Sequence, residues 1–161
     1  MGHRLGETMQ INVLIEHGED LVKDLDIEGL ATFVLSKMKC PSTTDVTISF
    51  VTNERIHELN RDYRGIDRPT DVLSFECDNV PFEDEDISAG AEYELGDVII
   101  APDVALDQTK EYGTTFEQEV SLLVVHGLLH LCGYDHIEDD EAEIMEALER
   151  KLLYAWNEQR S

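Results

Sequence analysis

Three histidines in the C-terminal part of the chain have the spacing of metal ligands. His126, His130 and His136 are four and six residues apart, and Gly133 stands between the second and the third. Residues four apart on a helix lie on one face, so His126 and His130 can bind one ion together. Gly133 can adopt the left-handed conformation that ends a helix, which would let the chain turn back towards the same ion. The pattern predicts a site of three histidines.

Three imidazoles suit zinc and leave its fourth position open, as in catalytic rather than structural zinc sites. Nickel or another divalent ion could use the same ligands, because the order of affinities does not single out zinc. Cys132 could be a fourth ligand, but it lies about 200° around the helix from His130 and is expected to face the core. Asp135 suits a supporting carboxylate. The remaining histidines, His3, His17 and His57, show no such grouping and are assigned structural roles.

The same histidine spacing occurs in metzincin peptidases, whose motif is H-E-x-x-H-x-x-G-x-x-H. The glutamate of that motif takes a proton from zinc-bound water, and Gly127 stands at its position here. A peptidase would therefore need another base, which makes it the weaker hydrolytic interpretation. The glycine is expected to leave space beside the ion for a bulky polymer substrate.

Two blocks of the sequence resemble the YbeY family, bacterial rRNA-maturation factors with metal-dependent endoribonuclease activity. One block is LNRDYRGIDRPTDVLSF at 59–75, followed by LGDVII at 95–100. The other is the histidine segment HGLLHLCGYDH at 126–136. The resemblance covers most of residues 45–158 and is specific, because separate blocks occur in the expected order.

The resemblance implies roles for particular residues. It implies zinc held by His126, His130 and His136, and catalytic roles for His126 and for Arg64, which would bind the substrate phosphate. The implied activity is single-strand-specific RNA cleavage in the 3′-end maturation of small-subunit rRNA and in ribosome quality control. The nucleophile would be water or the adjacent 2′-hydroxyl group. The implied partners are rRNA, the ribosomal small subunit, and ribosomal or assembly proteins.

The net charge of the chain opposes RNA binding. The formal charge is −24, so a polyanion is repelled at long range. A third of the twelve Lys and Arg residues nevertheless cluster at Arg55, Arg61, Arg64 and Arg68. Guanidinium groups can bind phosphate within a Debye length of about 8–10 Å. The alternative is a helix face of ordinary ion pairs, because Glu54, Glu58, Asp62 and Asp67 interleave with the arginines.

Two other functions remain open at this point. A zinc-dependent peptidase or other hydrolase would use the same ligands with an additional base. A noncatalytic ribosome-assembly factor would use zinc only to hold its C-terminal elements together.

Composition predicts one domain over residues 1–161, since 161 residues with 42% hydrophobic content suit a single globular core. Residues 1–10 lack an apolar run and no apolar stretch of about 20 residues could span a bilayer, so neither a leader nor a membrane is expected. The three scattered cysteines suit reduced thiols. These features predict a cytoplasmic protein. The acidic segment at about 78–94 is predicted to be a loop and the run at 138–149 a solvated surface.

Hydrophobic periodicity predicts the helices and strands that must position the site. The pattern predicts an α+β domain, with a small mixed four-stranded sheet, about five helices and the metal site on the long helix of the C-terminal half. Strands are predicted at 11–15, 46–51, 72–75 and 98–101, and helices at 21–39, 53–63, 102–113, from Thr114 or Thr115 through the first two histidines, and at 139–156. The last helix is expected to pack through Ile144, Ala147, Leu148 and Leu152.

Overall fold

The computed structural model describes residues 9–77, 93–134 and 139–160. Four strands and six helices lie within these ranges. The strands are β1 (Gln10–Ile15), β2 (Thr44–Phe50), β3 (Val72–Glu76) and β4 (Tyr93–Ile100). The helices are α1 (Glu19–Val22), α2 (Ile27–Lys37), α3 (Asn53–Arg64), α4 (Pro102–Tyr112), α5 (Phe116–Leu131) and α6 (Asp139–Arg160).

The strands form one mixed sheet in the order β1-β2-β4-β3. β2 is parallel to both β1 and β4, whereas β3 runs antiparallel to β4. Parallel neighbours need a crossover connection, which α1 and α2 supply between β1 and β2. The predicted α+β class with a mixed four-stranded sheet is confirmed.

Helix α5 is the central helix of the molecule. It contacts β3 and β4 on one side and α2, α4 and α6 on its others. Val124, Val125 and Leu128 of α5 are completely buried, so hydrophobic packing fixes the position of this helix. The few polar side chains that α5 carries are therefore placed by the core of the protein.

The helix predicted at 21–39 is two helices. Asp26 accepts a hydrogen bond from the backbone N–H of Gly29 at 3.0 Å and so caps α2. A carboxylate that bonds to the backbone in this way starts a new helix rather than continuing an old one. Hydrophobic periodicity predicted one helix here because it does not take account of the bond between the Asp26 side chain and the backbone.

The acidic loop predicted at 78–94 extends too far along the chain, because it overlaps the start of β4. β4 begins at Tyr93, and its side chains alternate between buried Tyr93 and Leu95 and exposed Glu94. This is the period of a strand with one buried face. The remainder of the predicted loop, 78–92, lies outside the described residues.

The buried face of α6 agrees with the predicted one only in part, since Leu152 is buried and Leu148 packs against the core as predicted. Met145, Glu149, Leu152 and Trp156 are buried, whereas the predicted Ile144 is 60% exposed. Ala147 is also exposed. The buried stripe passes through Glu149, a residue assigned from the sequence to solvated acidic surface. This carboxylate can be buried because it is hydrogen-bonded to His126 of α5.

Candidate active site

Helix α5 brings two of the predicted ligands together. Thr115 and Gln118 begin the helix with a reciprocal capping box, in which each side chain bonds to the other residue's backbone N–H. One turn separates His126 from His130, and their rings meet edge to face with centroids 4.7 Å apart. Two imidazoles on one helix face can serve one divalent ion. The third predicted ligand, His136, lies outside the described residues and stays a prediction, as does the supporting role of Asp135.

The end of α5 follows the predicted geometry. Gly133 has a φ of 102°, a conformation that L side chains rarely adopt. Its N–H donates to the carbonyl of His130, and the N–H of Tyr134 donates to the carbonyl of Leu129, both at 3.0 Å. This pair of bonds is the Schellman motif. The chain therefore turns sharply after the second histidine.

The two histidines line an open cleft of about 890 Å³. One wall comes from the C-terminal turn of α3, through Tyr63 and Arg64, and from the segment 70–76 that contains β3. The other wall comes from α5 and its terminal turn, through His126, His130 and the segment 133–134. The cleft is large enough for part of a polymer substrate.

Arg64 is the arginine of the predicted cluster that reaches this cleft. Its Nη2 donates to the carbonyl oxygen of Ser74 at 2.5 Å, and its Cζ lies 5.4 Å from the centroid of the Phe75 ring. Arg55 and Arg61 instead pair with Glu58 and Asp62, at 3.2 and 2.9 Å. The cluster therefore divides, since Arg55 and Arg61 form the ordinary ion pairs of the alternative interpretation, whereas Arg64 lines the same cleft as the histidines.

Glu149 is the site residue that sequence reasoning missed. Its side chain is 8% exposed, and Nδ1 of His126 donates to its Oε2 at 2.5 Å. A carboxylate bound to Nδ1–H fixes the tautomer of the ring and leaves Nε2 as the atom available to a metal ion. One signal could have found it, because Glu149 lies four residues after Met145 and three before Leu152, on the apolar stripe of α6.

Cys132 faces the core, as its helical position predicted. Its Sγ lies 3.8 Å from Sγ of Cys40. The hydrogen bond with Cys40 and burial raise the pKa of the Cys132 thiol, so it stays protonated. His17 and His57, which were assigned structural roles, pair with Asp103 and Asp67 at 2.9 and 2.7 Å.

Gly127 packs closely against the sheet, so the expectation that this glycine leaves open space for a substrate was wrong. A Cβ at this position would lie 2.6 Å from Cγ1 of Val98 and 3.2 Å from Oγ of Ser74. Ser74 also donates to the carbonyl of Gly127 at 3.0 Å. The glycine lets α5 approach β3 and β4 closely, and this approach brings the histidines to the cleft wall.

Replacing Gly127 with alanine is expected to destabilise the protein. Overpacking costs about 1–3 kcal/mol, which exceeds the gain of about 1 kcal/mol in helix propensity. We expect thermal unfolding to show a Tm lower by roughly 3–6 °C. In a Val98→Ala background the same substitution should cost much less, because the clashing methyl groups are gone. A Gly127→Ala protein at least as stable as the native one would contradict this packing account.

The fold and the cleft define a class of α+β proteins in which a buried helix crosses a mixed sheet and presents paired histidines to an open cleft. The family model described as Endoribonuclease YbeY matches residues 15–157. The chain belongs to the YbeY family.

Individual relatives agree with this assignment. An endoribonuclease YbeY of Thermoanaerobacter sp. strain X514 is 39% identical over 156 residues, covering 91% of this chain and 98% of its own. The Brevibacillus brevis endoribonuclease YbeY is 49% identical over 116 residues, covering 68% and 72%. The solution structure of TM1509 from Thermotoga maritima superposes with a TM-score of 0.62 at 30% identity, covering 94% of this chain and 92% of that one.

None of the helices within the described residues combines the length and the apolar character needed to cross a bilayer.

Proposed function

We propose that this protein is a zinc-dependent, single-strand-specific endoribonuclease that acts on rRNA. Family membership supports endoribonuclease activity, and hence RNA as the substrate. The observation that supports the finer proposal is that His126, His130 and Arg64 line one cleft. A pair of potential metal ligands in the same cleft as a guanidinium group is suited to a phosphodiester.

The residues present fit a divalent metal ion. His126 and His130 offer imidazoles from one helix face, and the acceptor of the Nδ1–H of His126 is the buried Glu149. Ligating histidines in proteins have this kind of carboxylate support. His136 would complete the set after the turn at Gly133. An ion held there would activate a nucleophile and offset the charge that develops on the phosphate.

Side chains of the protein would bind the phosphate and keep the site in its correct protonation state. Arg64 would bind the phosphate and hold it in place, because its guanidinium is already oriented by Ser74 and Phe75. Glu149 would keep the proton of His126 on Nδ1 throughout the reaction. The residues of β3 that line the cleft would position the RNA strand between Arg64 and the histidines.

We further propose that the substrate is the 3′ region of small-subunit rRNA, in maturation and quality control of ribosomes in the cytoplasm. A chain with a net charge of −24 has little long-range attraction for RNA. Ribosomal or assembly proteins bound at the same time would supply affinity that this surface lacks.

The peptidase alternative is not favoured. The peptidase motif needs a glutamate in place of Gly127, where even a Cβ would clash with Val98. The site therefore has no room for the general base of that mechanism. The Thermoanaerobacter and Brevibacillus relatives are named endoribonucleases, which also disfavours a noncatalytic assembly factor.

Removal of the metal tests this proposal. The purified protein should contain about one zinc ion per chain, and dialysis against a chelator should abolish cleavage of single-stranded rRNA fragments. Addition of zinc should restore cleavage, and parallel additions of nickel and manganese would identify the ion that suits the site. Unchanged cleavage by protein shown to be metal-free would reject the metal-dependent mechanism.

A further inference from the structure

Tyr63 is an exposed aromatic residue at the rim of the cleft. It is 69% exposed and precedes Arg64 in the last turn of α3. Among the exposed large hydrophobic side chains of the described residues, Tyr63 is the one that lines the cleft with His126 and His130. A ligand that enters the cleft therefore meets an aromatic surface beside a cation.

Phe75 holds this aromatic surface in place. The rings of Tyr63 and Phe75 are 5.6 Å apart between centroids, with an interplanar angle of 69°. The Arg64 guanidinium packs against the same Phe75 ring. Edge-to-face aromatic pairs and cation–π contacts are each worth about 0.5–1.5 kcal/mol, so the three side chains stabilise one another. The edge-to-face geometry leaves much of the Tyr63 ring open, as its exposure shows.

We propose that Tyr63 stacks on an unpaired nucleobase of the RNA, next to the phosphate that Arg64 binds. This inference rests on the proposed function and adds the part of the substrate that selects single strands. Proteins bind single-stranded RNA by stacking splayed bases on aromatic side chains, and such bases are not accessible inside a duplex. Tyr63 and Arg64 are sequence neighbours on one rim, so a base and the adjoining phosphate can be bound together.

The charge of the protein makes stacking more important here than in a basic RNA-binding protein. Phosphate contacts usually supply most of the affinity for nucleic acid. A net charge of −24 opposes such contacts at long range. Stacking does not depend on charge and is tolerant of base identity, so it suits an acidic protein that must bind a polyanion.

Steady-state cleavage by the metal-loaded protein tests the proposal. The substrates are a single-stranded oligoribonucleotide with one cleavage site, and versions with an abasic nucleotide at each position flanking that site. We expect one abasic position to raise KM of the native protein about 5- to 100-fold, the loss that corresponds to one stacked base. Tyr63→Phe should still discriminate against that abasic substrate, because the ring remains.

Tyr63→Leu separates stacking from packing. It should raise KM on the intact RNA by a similar factor and should no longer distinguish the abasic substrate, a loss that a merely structural role would not cause. Tyr154→Leu is the matched control, since Tyr154 is 70% exposed on α6, and it should match the native protein. Metal content and Tm are measured for every variant.

Two results would overturn the proposal. If Tyr63→Leu cleaves RNA and still discriminates against the abasic substrate as the native protein does, Tyr63 does not stack and the endoribonuclease function stands. If the metal-loaded native protein cleaves neither substrate, the proposed function fails together with the stacking site.

Discussion

Replacing His130 with alanine is expected to abolish metal binding and RNA cleavage while most of the fold remains. His130 projects from α5 into the cleft, whereas the neighbours that hold the helix, Leu128 and Leu129, are completely buried. Loss of a ligand should weaken metal binding by more than the 10- to 100-fold that loss of a ligand's hydrogen-bond partner costs. Loss of several kcal/mol of charge stabilisation should lower the cleavage rate by roughly 1000-fold or more.

Metal analysis, a cleavage assay and thermal unfolding on the same preparation check this expectation. His17→Ala is the matched control, because His17 pairs with Asp103 away from the cleft, and it should keep both metal and activity. Retention of one metal ion and of full activity by His130→Ala would remove this histidine from the site. Collapse of the fold on metal loss, with no RNA cleavage by the native protein, would support the noncatalytic assembly factor instead.

Replacing Arg64 with glutamine is expected to stop most RNA cleavage without loss of metal. The guanidinium would bind the phosphate in the transition state, and removal of one such donor costs about 10²–10³ in rate. Arg64→Lys should recover only part of the activity, because an ammonium group keeps the charge but lacks the planar fork. The change in Tm should be small, since the bond that Arg64 makes with Ser74 is exposed and such bonds contribute about 1 kcal/mol.

Arg61→Gln provides the comparison for Arg64→Gln. Arg61 lies one turn earlier on α3, pairs with Asp62 and stands outside the cleft lining, so its neutralisation removes the same charge from the same helix. Initial rates on single-stranded RNA should fall sharply for Arg64→Gln and little for Arg61→Gln. Equal losses in the two variants would mean that the arginines act only through net charge, and Arg64 would have no particular role.

The local chemistry of the backbone was predictable because its causes are close together in the sequence. Thr115, one of the two predicted first residues, caps α5, and Thr52 caps α3 directly before its predicted start, each through a bond to the residue three positions on. Gly133 ends α5 in the predicted conformation. The strands were found from their periodicity, except for the first part of β4, where acidic residues concealed the alternation.

Features that depend on contacts between distant parts of the chain were not predictable from such local patterns. The buried face of α6 was predicted only in part, because Leu148 and Leu152 pack against the core as expected but Glu149 was assigned to solvent by residue type. A carboxylate is buried only where a partner compensates its loss of hydration, and that partner, His126, lies on another helix. The position of Glu149 between Met145 and Leu152 indicates that it is buried, but neither residue's own neighbourhood in the sequence identifies the other as its partner.

The sequence by itself determined that His126 and His130 share a helix face and that the chain turns after them, because helical geometry and glycine stereochemistry act over a few residues. Only the tertiary structure decided that Arg64 lines the same cleft as these histidines and that Glu149 is hydrogen-bonded to His126. It also decided that Gly127 serves close packing against Val98. These relations join segments far apart in the chain, and the packing of α5 between the sheet and α6 brings them together.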